Sequence, residues 1–189
     1  MHRTAEAEDR SARFEALFRA EYPAVAGYIG RRAEPDFVDD LVDEVFLVAW
    51  RRLERVPAEP RPWLLTVARN VVGTHIRGAR RSRALSLRLA TSEVDRASPV
   101  ALVDGEAAAA LAALRPKDRE ALLLVSWEGL SPSEAARVLG ERPASFRSRL
   151  HRARSRFRRA LEQPDTVADA SPTEPHIDAL TVSTEVPNA

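Results

Sequence analysis

The sequence predicts an all-α protein made of two small helical domains joined by a flexible linker. Apolar residues recur at three- and four-residue spacing through most of residues 12–81 and 104–161, as in amphipathic helices that face a core. Proline stands at the start of several of these segments, and Gly140 stands at the end of one. Residues 82–103 have weak periodicity and are broken up by Ser86, Thr91, Ser92, Ser98 and Pro99, which favours a linker.

The composition excludes several classes of protein to which the chain could otherwise belong. The 189 residues, 44% of them hydrophobic, suffice for two small cores. The absence of cysteine excludes disulfides, thiolate nucleophiles and Cys-ligated zinc. No apolar run approaches the roughly 20 residues of a membrane span and no signal peptide opens the sequence, so we expect a cytoplasmic location. The net charge is +1, but the arginines are distributed very unevenly.

The first domain is predicted over residues 12–81, after a polar and disordered N-terminus at residues 1–11. Helical spacing begins at Phe14 and resumes after Pro23, which either kinks one helix or starts a second. The next helix is predicted over residues 35–53, with acidic residues in its first half and arginines at its end, as the helix dipole prefers.

That helix carries more apolar side chains than one core-facing stripe can hold. Phe46, Leu47 and Trp50 extend beyond the stripe, on a helix that also carries Asp40 and Asp43. The aromatic residues are either ordinary core or the apolar anchors of a protein-docking face rimmed with acid.

The helix predicted over residues 62–81 is cationic on one side. Seven arginines and no acidic residue occur between positions 61 and 88, and Asn70, Arg77 and Arg81 share a narrow stripe. Since a solvated face usually mixes both signs, this stripe indicates a polyanionic partner. Trp63 is either a core residue or a flat ring that packs against an unstacked base.

The second domain, residues 104–161, ends in two short helices about one turn apart. Ser131 and Glu134 form a capping box at the start of the first, Gly140 suits a left-handed C-cap, and Pro143 can begin the second. This pattern predicts a helix-turn-helix, whose second helix would enter a DNA major groove.

The second helix of this motif is apolar on one side and cationic elsewhere. Seven arginines lie between positions 147 and 159, with no acidic residue after Glu141 until the helix end. An arginine-rich amphipathic helix is also typical of a solvated or membrane-surface helix, but such a helix needs no capped partner beside it.

The C-terminal segment, residues 162–189, is predicted to be an acidic disordered tail. Beyond position 162 it contains five acidic residues and no Lys or Arg, a composition that cannot bury enough surface to fold alone. It is either an inert solubilising tail or a segment that folds back on an arginine-rich face and competes with DNA.

Catalytic chemistry has little support in the sequence. The four histidines are scattered, and no HExxH, P-loop or GxSxG motif occurs. We therefore predict no catalytic residue, no metal site and no cofactor.

With both halves described, the chain resembles the bacterial RNA polymerase sigma factors of the extracytoplasmic-function (ECF) type, over residues 14–161. The segment DDLVDEVFLVAWRRL resembles their polymerase-binding helix, and RPWLLTVARN with the arginines after it resembles their promoter-melting segment. LSPSEAARVLGERPASFRSRLHRARSRFRRAL resembles the helix-turn-helix of their second domain. Residues 12–81 would then be sigma region 2 and residues 104–161 sigma region 4.

The resemblance implies partners and roles. Core RNA polymerase would be bound through its β′ clamp helices and β flap, and promoter DNA through the −10 and −35 elements. The loop at residues 54–61 would capture a flipped base, and an anti-sigma factor is a further candidate partner.

Polymerase-binding positions would be Asp40, Leu41, Asp43, Glu44, Phe46 and Trp50. Positions at the −10 element would be Trp63, Asn70, Arg77, Arg80 and Arg81. Positions at the −35 element would be Arg147, Ser148, Arg149, His151, Arg152 and Arg154, with Arg149 and Arg154 on phosphate.

Two other functions stay open from the sequence alone. A stand-alone helix-turn-helix repressor or activator would bind duplex DNA tightly without polymerase, usually as a dimer. An RNA-binding or membrane-surface protein has only the arginine content in its favour.

Overall fold

The computed structural model describes the backbone of residues 2–87 and 105–162 and the side chains of residues 7–79, 81 and 105–162. Within these ranges every regular element is helical and no β-strand occurs, so the all-α prediction is confirmed. The predicted tail beyond residue 162 and residues 88–103 of the predicted linker lie outside the described residues.

Each half of the chain contributes its own group of helices. The first half contains α1 (His2–Gly30), a 3-10 turn (Pro35–Phe37), α2 (Val38–Arg51), a second 3-10 turn (Leu53–Arg55) and α3 (Arg61–Leu87). The second half contains α4 (Glu106–Ala112), α5 (Pro116–Ser126), α6 (Pro132–Leu139) and α7 (Pro143–Glu162).

Helix α1 begins earlier than predicted. It starts at His2 and runs through Pro23 without ending, so residues 2–11, which the sequence predicts to belong to a disordered N-terminus, are helical. Arg10 gives part of the reason, because its guanidinium lies over the Trp50 ring of α2 and donates to the Trp50 carbonyl oxygen at 2.8 Å.

Helix α3 also exceeds its predicted bounds. It continues to Leu87, six residues into the segment predicted as linker from residue 82. No proline or glycine occurs between positions 79 and 98 to end it earlier. The side chains of residues 82–87 are not described.

Helix α2 is shorter than the predicted segment at residues 35–53. Pro35 opens a 3-10 turn rather than the α-helix itself, and the α-helix follows from Val38 to Arg51. The apolar stripe of α2 packs against α1 and α3 and forms the core of the first half.

The helix-turn-helix has the predicted caps. The Glu134 backbone N–H donates to Ser131 Oγ at 3.3 Å and the Ser131 backbone N–H donates to Glu134 Oε2 at 2.8 Å, which completes the capping box. Gly140 adopts φ +67° at the end of α6, a left-handed conformation that glycine accepts without strain. Phe146, buried on α7, packs into the core of the second half.

The two halves are in contact. Helix α3 of the first half packs against α6 of the second, and one continuous cluster of buried apolar residues includes members of both. The helix-turn-helix is therefore seated against the helix that carries the arginine stripe.

Candidate functional site

Helix α7 presents the residues predicted to contact the −35 element on one accessible surface. Phe146, Leu150 and Ala153 anchor the opposite side of the helix in the core. Five polar side chains are exposed and make up what we call the reading face, namely Arg147, Ser148, His151, Arg152 and Arg154. A helix held by its apolar side and presenting arginines outward can enter a major groove and donate to guanine or phosphate.

Arg149, the sixth predicted member, is placed differently. Its guanidinium donates to the Glu141 carboxylate in the turn before α7, and the two side chains are only 22% and 20% exposed. Arg149 therefore braces the turn against the helix and carries a compensated charge.

The predicted stripe on α3 is accessible. Asn70, Arg77 and Arg81 are exposed, although α3 packs against α6. Thr74 lies between two of them, and its hydroxyl donates to the backbone carbonyl oxygen of Asn70 at 2.9 Å and accepts from Arg77 Nη2 at 3.0 Å. The Arg80 side chain lies outside the described part of the structure.

Two other −10 candidates have partly structural roles. Trp63 is half-buried and packed against the apolar core. In the loop at residues 54–61, Arg61 Nε donates to Glu21 Oε2 of α1 at 2.9 Å, and this hydrogen bond raises the pKa of Arg61. The loop is thus attached to α1 at the point where α3 begins.

The acidic face of α2 is exposed as predicted, but two of its predicted contact residues are not. Asp40, Asp43 and Glu44 are exposed. Leu41 and Phe46 are only 5% and 3% exposed, so the structure places both in the core of the first half rather than on the accessible side of α2.

Aromatic packing explains the burial of Phe46. Its ring lies 4.6 Å from that of Phe18, 6.3 Å from that of Phe14 and 6.5 Å from that of Tyr22. Phe46 therefore joins α2 to α1. The half-buried Trp50 belongs to the same cluster, 5.1 Å from Phe14.

Leu47 is the apolar residue that stands on the accessible side of α2, and it is 52% exposed. Sequence reasoning grouped it with Phe46 and Trp50 but did not select it as a contact. We define the docking face as Asp40, Asp43, Glu44 and Leu47. Helical periodicity alone does not show that Phe46 is buried and Leu47 is exposed, because this difference depends on where α1 packs.

A charged cluster between the halves was missed entirely by sequence reasoning. It consists of Tyr28, Arg31 and Arg32 from the first half and Glu120 and Glu128 from the second, and we call it the interdomain charge cluster. Arg31 Nη2 lies 2.5 Å from Glu128 Oε2, and Arg32 Nη2 lies 3.0 Å from Glu120 Oε2. Arg31 and Arg32 follow directly after α1, where positive charge complements the helix dipole, so their position in the sequence does not indicate a partner in the second half.

The described residues carry few other candidate sites. Within residues 2–87 and 105–162, no helix is both long and apolar enough to cross a membrane. The same described part of the chain contains no group of three His, Asp or Glu residues placed to hold a metal ion.

Comparison with known protein families matches both halves. The family described as Sigma-70 region 2 matches residues 17–82, and the family described as Sigma-70, region 4 matches residues 105–157. The first match contains α2 and most of α3, and the second contains α4 to α6 and most of α7.

Individual relatives match over most of their length. The ECF RNA polymerase sigma factor SigC of Mycobacterium tuberculosis is 34% identical over 173 residues, which cover 85% of this chain and 84% of SigC. The RNA polymerase sigma factor CarQ of Myxococcus xanthus is 31% identical over 159 residues, covering 78% of this chain and 88% of CarQ.

Solved structures share the fold. The sigma factor RpoE from Bartonella quintana, solved in complex with the anti-sigma factor NepR, has a TM-score of 0.61 at 24% identity, covering 79% of this chain and 96% of RpoE. CnrH, solved in complex with the cytosolic domain of CnrY, has a TM-score of 0.57 at 26% identity, covering 81% of this chain and 89% of CnrH.

Proposed function

The chain belongs to the extracytoplasmic-function group of bacterial RNA polymerase sigma factors, and we propose that its three exposed faces each serve a separate step of promoter recognition. Its function is to bind core polymerase and direct transcription initiation at specific promoters. We assign the chain no reaction of its own, and we place its action in the cytoplasm, where polymerase and promoter meet.

The reading face of α7 is the main structural observation that supports this proposal. It is the exposed side of the second helix of a capped helix-turn-helix, and it holds three arginines, a serine and a histidine. A bidentate arginine–guanine pair is worth about 1–3 kcal/mol of discrimination against a wrong base. We assign Arg147 and Arg152 to base readout at the −35 element, and Arg154 to phosphate.

The α3 stripe is assigned to the melted strand of the −10 element. Asn70 and Arg77 lie on the same exposed side of α3, and Thr74 orients the Arg77 guanidinium by accepting a hydrogen bond from its Nη2 at 3.0 Å. Extruding a base costs a few kcal/mol, which contacts in a pocket offset. The loop at residues 54–61 and the accessible part of Trp63 are our candidates for that pocket.

The docking face of α2 is assigned to the β′ clamp helices of core polymerase. It combines an exposed leucine with three carboxylates, which is the composition of an apolar anchor with a charged rim. The buried Phe46 and Leu41 shape this face from beneath.

Run-off transcription with purified core polymerase tests the function. A promoter identified by mapping transcript starts after overexpression provides the template. We expect specific transcripts only when the chain is added, and we expect Arg147→Ala with Arg152→Ala to remove the dependence on the −35 sequence. Unchanged promoter selectivity in that variant would remove the readout assignment.

An anti-sigma factor is the partner we propose for regulation. CnrH, which shares this fold at 26% identity, was solved with the cytosolic domain of CnrY. Co-purification of the tagged chain from its native host, followed by mass spectrometry, tests this. Recovery of core polymerase alone, under conditions where transcription from the chain's promoters is off, would argue against such a partner.

A further inference from the structure

We propose that Glu21 of α1, supported by Arg13, is a positioning residue for base capture at the −10 element, because these two side chains fix the two ends of the loop at residues 54–61. This role rests on the function proposed above, which assigns the loop to an extruded base. The attachment of the loop to α1 is also a property of the free chain and can be measured without DNA.

Two ion pairs join the loop to α1, one at each end. At the first loop residue, Glu54 Oε2 accepts a hydrogen bond from Arg13 Nη1 at 3.3 Å. At the last loop residue, Arg61 Nε donates to Glu21 Oε2 at 2.9 Å and Arg61 Nη2 donates to Glu21 Oε1 at 3.5 Å. Because the second pair engages both carboxylate oxygens, it fixes the direction of the Arg61 side chain as well as its distance from α1.

The spacing of the two α1 residues leaves slack in the loop. Arg13 and Glu21 are eight positions apart on one helix, which corresponds to roughly 12 Å along the helix axis. The chain from Glu54 to Arg61 could extend to roughly 23 Å. The loop is therefore longer than the separation of its attachment points on α1, so its middle can stand away from the surface and surround a ligand.

The middle of the loop has few other contacts. At one end, the Val56 N–H donates to the Leu53 carbonyl oxygen at 3.2 Å. At the other end, the Pro60 carbonyl oxygen accepts from the Leu64 N–H at 2.9 Å. Residues 57–59 are exposed, and none of them forms a backbone hydrogen bond with the described part of the chain. Their backbone polar groups are therefore available to the edge of a base.

The two attachments differ in strength. The Glu21 side chain is 11% exposed, and its hydrogen bond raises the pKa of Arg61. The Arg13 and Glu54 side chains are 48% and 78% exposed, so their pair is screened by water and contributes little alone. A carboxylate as buried as that of Glu21 depends on its partner, because an unpaired buried charge is unfavourable. We therefore expect Glu21 to be the main anchor and Arg13 to restrict the remaining motion.

Anchored ends suit a pocket that has to distinguish one base from another. Extruding a base is already unfavourable, and ordering loop residues at the same moment would add the loss of their conformational freedom. A loop held at both ends loses less freedom when the base enters. Its polar groups also stay where one base edge matches them, so a different base leaves a group unpaired. Release of the Glu21 anchor should therefore reduce discrimination between bases more than it reduces total binding.

The anchor also distinguishes the two arginines of the loop. The Arg61 charge is compensated by Glu21, so Arg61 acts on the shape of the loop. Arg55 is exposed and forms no ion pair with any residue that the structure describes. Its guanidinium is therefore available to a DNA phosphate. The two arginines form a matched comparison, since both belong to the loop and only one is attached to α1.

The mobility of a spin label in the free, full-length chain tests the anchor itself. The sequence contains no cysteine, and Ala58 is exposed in the middle of the loop, so Ala58→Cys accepts a single nitroxide label. We expect Glu21→Gln to shorten the rotational correlation time of the label at least about twofold, because one end of the loop is released. Arg61→Gln should have the same effect, and the double variant should add little to either single change.

Promoter binding by the holoenzyme tests the consequence for recognition. The captured base is identified by the −10 position at which the unaltered holoenzyme discriminates most strongly between bases. We expect Glu21→Gln to reduce that preference, measured as a ratio of dissociation constants, at least about fivefold. The preference at the −35 element should stay unchanged. A merely structural role for Glu21 would instead weaken recognition of both elements alike.

Three further substitutions serve as comparisons. Arg19→Ala removes an exposed pair with Glu15 that lies on α1 and does not involve the loop, so it should leave label mobility and base preference unchanged. Arg55→Ala should reduce the salt slope of promoter binding by about 1 and leave the ratio between bases nearly unchanged. Arg13→Ala should reduce the −10 preference less than Glu21→Gln does.

Unchanged label mobility in both Glu21→Gln and Arg61→Gln would overturn the proposal, and so would a −10 preference that survives in both variants. If Glu21→Gln unfolds the first half by circular dichroism, Arg61→Gln decides alone, since the Arg61 side chain is 44% exposed. An unaltered holoenzyme with no base preference at the −10 element would instead contradict the proposed function, and label mobility would still decide whether α1 anchors the loop.

Discussion

The Glu141 carboxylate, in the turn of the helix-turn-helix, accepts a hydrogen bond from the Arg149 guanidinium one to two turns into α7. This contact ties the turn to α7. Arg149, one of the six positions predicted to contact the −35 element, therefore already has a carboxylate partner in the free chain. The arginines of α7 are therefore not equivalent.

We predict a graded response to alanine substitution along α7. Arg152→Ala should cost about 1–3 kcal/mol in binding of the holoenzyme to its promoter and should relax specificity at one position of the −35 element. Arg154→Ala should weaken binding nearly uniformly across sequences and reduce the salt slope by about 1. Competition binding with single-base promoter variants at several salt concentrations measures both effects.

Glu141→Gln tests whether the Arg149 charge can act on DNA, because it removes the carboxylate that pairs with Arg149 and leaves Arg149 itself unchanged. Losing the carboxylate frees the Arg149 charge, so non-specific affinity should rise and the salt slope should steepen. The change should also lower the stability of the second half, because the brace between turn and helix is weakened. Unaltered DNA affinity and salt slope would show that Arg149 does not face phosphate.

On the docking face, Leu47→Ala should weaken binding to core polymerase by about 1–3 kcal/mol, since an exposed apolar anchor loses its buried contact. Asp43→Arg should weaken it further by reversing a rim charge. Isothermal titration or fluorescence anisotropy with purified core polymerase measures both. Glu106→Arg, which reverses an exposed acid on the second half, is the control and should bind normally.

Phe46→Ala tests a different property from Leu47→Ala. Phe46 is 3% exposed, and its truncation should lower the free energy of unfolding by about 3–5 kcal/mol. Chemical denaturation followed by circular dichroism measures this. A stable Phe46→Ala variant that loses polymerase binding would mean that the aromatic ring itself reaches the partner.

The capping box of α6 gives a prediction for stability and pH. Ser131→Ala should destabilise the protein by about 1 kcal/mol, because the Glu134 backbone N–H loses its acceptor. Hydrogen bonds from Ser131 lower the pKa of Glu134 below its ordinary value of 4.5. The charged form is therefore favoured by folding, so its stabilisation is present above that value and is lost as the pH falls through the lower, folded-state pKa.

Glu134→Gln isolates this effect. Its free energy of unfolding should lie below that of the unaltered chain at neutral pH, and the two should converge as the pH falls through the folded-state pKa of Glu134. A difference that stays constant down to pH 3 would contradict the assignment of the shift to Glu134.

The start of α1 is held by the contact between Arg10 and Trp50, which no sequence pattern predicts. Arg10→Ala removes the guanidinium over Trp50 and its hydrogen bond to the Trp50 carbonyl oxygen, so the first turns of α1 should exchange amide hydrogens faster. Hydrogen exchange measured by mass spectrometry checks this. Arg19→Ala, which loses an exposed pair with Glu15 within the same helix, should leave the N-terminal peptides unchanged.

Local signals in the sequence were sufficient for the helix-turn-helix. Ser131, Glu134 and Gly140 act within a few residues of one another, so their caps could be predicted without knowledge of the fold. The apolar stripe of α7 had the same advantage. It placed Phe146 and Leu150 inside and the arginines outside.

Long-range contacts account for what the sequence could not provide. Phe46 and Leu47 are adjacent apolar residues, and only the position of α1 decides that the first is core and the second is surface. Arg32 and Glu120 are 88 positions apart. Nothing in helical periodicity pairs them. The start of α1 at His2 was missed for the same reason, since Trp50 lies 40 residues from Arg10.

The most direct test compares DNA binding by the purified chain with and without core polymerase, in a gel-shift titration on one promoter fragment and on a scrambled fragment of equal length. We expect weak, salt-sensitive and unselective binding by the chain alone. With core polymerase we expect a promoter-specific complex that depends on both the −10 and the −35 sequences. Tight and selective duplex binding by the chain alone, unaffected by core polymerase, would contradict the proposed function.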